Sequence, residues 1–217
     1  MAVLTPTLRK FALTAHVTSS VGWLGAVGSF LVLAAAGLIG HDDQTVRSVY
    51  IATELTTWYA IVPLAFASLL TGLVVALGTS WGLFRHYWVL VKFMLTILAT
   101  TLLLLHTQPI GRLAAVAREM SLGSANVRPL QVQVAADATA AVLALLVNVT
   151  LSIYKPRGMT AYGRRRQQQP GEIARTDTAA EHPSAWIKLL AIALIGLIVT
   201  FIALHLAGTG LGALHHR

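Results

Sequence analysis

The groups in this sequence that can do chemistry are a few histidines, one lysine and two carboxylates set in apolar surroundings. His16, Lys92, His106 and His205 interrupt hydrophobic runs, and Glu54 and Asp137 stand near the starts of two others. Imidazole is a ligand for haem iron, copper or zinc. An ammonium inside a bilayer needs an anion, or it tends to lose its proton. Lys92 and His106 are 14 residues apart, close to four helical turns, which leaves them on nearly one helix face. His16 and Trp23 are seven apart and share a face for the same reason.

The elements that must carry these groups are membrane spans. The chain has 217 residues, 56% hydrophobic and 11% charged, with a mean hydropathy of +0.70, far from the balance of a soluble domain. The stretch YWVLVKFMLTILATTLLLLH, Tyr87 to His106, supplies 20 almost wholly apolar residues, enough to cross a hydrocarbon core of about 30 Å at about 1.5 Å per residue. Other spans are expected at 11–39, 50–77, 132–153 and 186–206. The first is too long for a signal-peptide core and predicts an uncleaved span. The fold class is therefore all-α, a polytopic helical bundle of about five spans. Residues 1–153 form a four-helix core, residues 154–185 an Arg/Gln-rich linker, and residues 186–217 a fifth span with a short tail.

Local signals refine this. Pro63 inside the second span predicts a kink that neighbouring helices absorb. Gly22, Gly25, Gly28 and Ser29 are small residues suited to close helix packing. Residues 40–48 and 107–131 are expected as polar loops, the second with a short amphipathic helix near Leu113 to Met120. The net charge of +8 is explained by topology rather than by nucleic acid. Arg9, Lys10, Arg85 and Arg164 to Arg166 favour a cytoplasmic N-terminus and an outer C-terminus in the bacterial inner membrane, although Arg112, Arg118 and Arg128 fall on the outer side. The lack of cysteine excludes disulfides, iron-sulfur clusters and thiolate metal sites. P-loop, G-x-S-x-G and H-E-x-x-H motifs are also missing.

Because alternate spans run in opposite directions, the polar residues sort by depth. His16, Lys92 and Asn148 fall in the cytoplasmic half; His106, Glu54, Asp137 and His205 fall in the outer half. His16 and His106 are separated by about 20 Å along the membrane normal, too far to share one metal ion. Each residue carries two readings. His16 is a ligand or a packing histidine bonded to a carbonyl, and Lys92 pairs with an anion or snorkels to the interface. His106, His205, Glu54 and Asp137 form an outer metal or haem site, or they are wet histidines and helix-start carboxylates.

The first-span pattern H-x6-W-x-G at His16, Trp23 and Gly25, together with WGLFRHYWVLVK and a closing His106, resembles the membrane protoporphyrinogen oxidase family. It is similar also to the membrane domain of copper resistance D proteins and to an uncharacterised family of bacterial integral membrane proteins related to both, the last over most of the first four spans. The resemblance implies haem b, with His16 and Lys92 at the positions the oxidases use, and His106 and Trp23 beside the cofactor. The fifth span and the arginine-rich loop depart from that pattern. Two function classes follow. One is a haem b redox protein passing electrons between a hydrophobic reductant or porphyrin-like substrate and a membrane acceptor such as quinone. The other is a non-enzymatic carrier or accessory protein, copper-related or without any cofactor.

Overall fold

The structure, a computed structural model, describes residues 4–78, 84, 86–119, 127–154 and 160. The expected fifth span, the linker beyond Tyr154 and His205 lie outside the described residues. Among those described, the chain is almost entirely helical, and four helices are long and apolar enough to cross a membrane. They make this a multi-pass membrane protein.

Helix α1 (Pro6–Ile39) starts where Thr5 accepts a hydrogen bond from the Leu8 amide at 3.4 Å, with Pro6 in the first turn. Proline suits that position because its missing N–H would have no helical partner there. α2 (Asp43–Thr56) begins several residues before the expected span. Asp42 accepts from the Thr45 amide at 2.8 Å and caps it, so most of the predicted loop 40–48 is helix. The polar composition of this first turn hid it. A π-helical turn (Thr57–Ile61) leads into α3 (Val62–Gly78), and Pro63 follows at once. Proline cannot donate to the Tyr59 carbonyl, and the π-helical turn directly before it is where the helical pattern adjusts.

α4 (Tyr87–Glu119) also runs on past its expected end. Pro109 leaves the Leu105 carbonyl without its helical donor, yet the helix continues, because Ile110, Leu113, Ala114 and Ala117 are buried, with α2 packed along α4. The expected loop from 107 and its separate short helix are thus one continuous extension of the third span. α5 (Arg128–Tyr154) closes the bundle.

The four spans form a ring. α1 packs on α2, α3 and α5, and α4 packs on α2, α3 and α5, so α1 and α4 face each other across the diagonal. The core between them comprises Trp23, Val27, Phe30, Ile61, Ile110, Val134, Ala138 and Leu145. Of the small residues expected at interfaces, Gly22 meets Leu64, whereas Gly25 and Gly28 face open space. Tighter approaches fall elsewhere. A Cβ on Gly37 would lie 2.6 Å from the Tyr50 ring, and one on Gly72 would lie 2.9 Å from the His16 ring.

Candidate functional site in the bundle interior

His106 sits where α4 passes the start of α5, and it is buried. Its Nδ1 lies 2.6 Å from the Leu102 carbonyl one turn back. A carbonyl only accepts, so Nδ1 carries a proton and donates. Its Nε2 lies 3.1 Å from Asp137 Oδ2, at ion-pair distance though out of alignment for a linear hydrogen bond. A lone pair on each atom would repel at this separation, so a proton resides on one of the two. The pair is therefore a buried proton-holding unit. Asp137 lies more than two turns inside α5, well past the first turn, where a carboxylate would cap the helix.

The pair forms the polar wall of a cavity of about 110 Å³. Trp23, Val27 and Phe30 of α1, Thr57 and Ile61 of the π-helical turn, Leu95 to Ile110 of α4 and Val134 to Leu145 of α5 enclose it. Leu95 to Ile110 spans about 22 Å at ~1.5 Å per residue, so the space is an elongated slot with one polar site. Trp23 is 3% exposed, and its indole N–H meets no acceptor among the described residues. A buried donor without a partner costs about 1–3 kcal/mol; a ligand acceptor in the slot would relieve that cost. Leu98, Leu102, Ala140 and Ala144 line the α4 and α5 side and are only half-buried, so this seam brings the slot closest to the lipid.

The other candidate residues lie elsewhere. Glu54 pairs with Arg118, which holds α2 to the extension of α4, and it does not line the cavity. His16 Nδ1 contacts the Ser68 carbonyl at 3.1 Å and Thr71 Oγ1 at 3.3 Å. Gly72 leaves room for its ring. Lys92 donates to Ser152 on α5, so its ammonium turns into the bundle rather than snorkelling outward. His16 and Lys92 both lie in the half of the bundle opposite His106. The structure therefore gathers His106, Asp137 and Trp23 and leaves His16, Lys92 and Glu54 apart. Sequence reasoning missed Thr57 and the α5 alanines in the cavity wall. Pro63 was the available signal for an irregular turn beside them.

A haem b fits this slot poorly. A 150 Å³ cavity takes about one benzene ring, so roughly 110 Å³ has no room for a tetrapyrrole, and Nε2 of His106 already faces a carboxylate. For copper, no three of His, Asp and Glu converge among the described residues. Comparison of the chain with protein-family models, with curated proteins and with solved structures returns no match.

Proposed function

We propose that this is an inner-membrane protein, N-terminus cytoplasmic, that admits a lipid-soluble molecule with a hydrogen-bonding head into the slot and holds a proton for it at His106 and Asp137, passed on when an external reductant supplies the electrons. A quinone or quinol fits that description. Its carbonyl oxygens accept from the Trp23 N–H, and because about 110 Å³ is less than a benzene-sized cavity, its ring and prenyl tail enter only as the α4–α5 seam opens. The observation that carries this reading is a buried imidazole–carboxylate pair on the wall of an otherwise apolar cavity beside an unpartnered indole N–H. Such pairs suit proton exchange because each partner stabilises the charged form of the other.

The redox role belongs to this proposal only as far as proton exchange. An electron step needs a further centre, for which haem b is the group implied by the likeness to the oxidase family. His106, with Nδ1 on a backbone carbonyl, would be the residue to hold such a group through Nε2, but Asp137 and the cavity size weigh against it. A carrier that binds the same amphiphile without chemistry is the second reading, favoured by the wholly apolar remainder of the slot.

The test is titration of detergent-purified protein with a short-chain prenylated benzoquinone, read by tryptophan fluorescence and, on reduction of the bound quinone by dithionite, by proton uptake to the quinol. Saturable quenching that His106→Leu and Trp23→Phe each weaken supports the site. Quenching that is linear in quinone and unchanged in both variants removes it. A Soret band in the same preparation would return His16 and His106 to the haem reading.

A further inference from the structure

The end of the bundle opposite His106 has a different chemistry. The described carboxylates are Asp42, Asp43, Glu54, Glu119 and Asp137, and all five belong to the His106 half. The other half holds Arg9, Lys10, His16, His86 and Lys92 and, among the described residues, no carboxylate at all. Lys92 is the innermost of these cations on α4, about 8 Å from its start by helix rise. It is only partly exposed, and its hydrogen bond goes to a neutral hydroxyl, Ser152. A cation held inside a bundle without a counter-ion is unfavourable, so such groups pair with an anion or line a path for one.

The surroundings supply neutral polar groups suited to an oxyanion. Ser20 and Ser68 hydroxyls are 2.7 Å apart across α1 and α3. Ser19 reaches the His16 carbonyl at 3.1 Å and lies 3.4 Å from Thr71 Oγ1. Asn148 donates to Thr96 at 2.8 Å, one turn along α4 from Lys92. His16 Nδ1 donates to the Ser68 carbonyl, which leaves Nε2 of the neutral ring an acceptor.

We infer that Lys92, with Ser152 beside it, forms a binding site for one phosphate monoanion, supplied by the headgroup of an anionic phospholipid. The site is distinct from the His106–Asp137 pair at the other end of the bundle, although the apolar slot between them reaches Leu95, within one turn of Lys92.

Native mass spectrometry of the full chain in detergent, with added phosphatidylglycerol, phosphatidylcholine or inorganic phosphate, tests it. One phosphatidylglycerol should be retained in preference to phosphatidylcholine. Lys92→Gln should weaken that retention about tenfold, the factor that about 1.4 kcal/mol gives, and Ser152→Ala less. Lys10→Gln, the surface control, should leave it unchanged. Equal retention of both lipids, or undiminished retention by a folded Lys92→Gln protein, overturns the site. Displacement of phosphatidylglycerol by millimolar inorganic phosphate overturns the lipid source while keeping the anion chemistry. Retention that appears only when Glu172, Asp177 and Glu181 are all neutralised makes those carboxylates the resident counter-ion, and the proposal falls.

Discussion

Filling the slot is the sharpest perturbation available, because it should raise stability while abolishing binding. Ala141 lines the cavity one helical turn beyond Asp137 on the same face of α5. Leucine there adds three carbons directed into the space. At ~0.8 kcal/mol per buried methylene the gain is bounded near 2.4 kcal/mol. The cavity itself, at ~24 cal/mol per Å³, costs about 2.6 kcal/mol for its 110 Å³. The two estimates coincide because three carbons are about what the space holds. In a bilayer the gain comes from dispersion contacts rather than from release of water, so the expected outcome is a rise of about 1–2 kcal/mol. For a chain of this size that is a thermal midpoint higher by roughly 2–8 °C. Thermal unfolding in detergent and the quinone titration should be run on the same Ala141→Leu preparation. A more stable protein that no longer quenches is the expected result. A destabilised one means that the walls are already in contact and the slot does not exist as described; a stabilised one with intact quenching places the ligand elsewhere.

Asp137→Asn keeps the volume and removes the charge facing His106. It should cost about 1–3 kcal/mol and abolish proton uptake in the titration while leaving part of the quinone binding, which separates proton exchange from occupancy. Gly72→Ala drives a methyl to 2.9 Å from the His16 ring, and overpacking of this kind costs about 1–3 kcal/mol; histidine nitrogen NMR should report loss of the contact with the Ser68 carbonyl. Asp42 sits outside the spans, and its hydrogen bonds from Thr45 hold its carboxyl below the ordinary carboxylate range. A lowered value means that the cap is fully formed above that ordinary range and is lost as pH falls through the bound value. Amide exchange at Thr45 should accelerate on acidification below it, and Asp42→Ala should abolish that pH dependence.

Much of the bundle is legible in the sequence because hydrophobic length alone dictates where helices cross a bilayer. The depth sorting of His16 and Lys92 against His106 and Asp137 followed from alternating helix direction. What was not legible is which helix faces meet. Lys92 and His106 share a face of α4, yet one meets Ser152 and the other Asp137, because α5 runs antiparallel and presents different residues at the two levels. Helix ends were also obscured. The turns at Asp43 to Ser48 and Thr107 to Glu119 are polar enough to read as loops, but they are held by a cap in one case and by α2 packing in the other. Glu54 looked like a helix-start carboxylate only because the start was placed too late.

The extension of these two helices also changes how the arginines should be counted. Arg112, Arg118 and Arg128 counted against the proposed orientation as loop charges, but Arg112 and Arg118 lie on α4 and Arg128 opens α5. Arg118 is paired with Glu54. Arg128 donates to the Leu38 carbonyl at the end of α1, and Arg47 donates to the Ala117 and Arg118 carbonyls at the end of α4. The last carbonyls of a helix lack intrahelical donors and carry partial negative charge, so cations there satisfy both needs. Three arginines are thus held by the architecture at the His106 end, two as caps and one as an ion-pair partner, and that end also carries all five described carboxylates. At the other end Lys92 donates to a neutral hydroxyl, Ser152, rather than to a carboxylate. Among the described residues, then, the carboxylates that could neutralise Lys92 are all at the other end of the bundle.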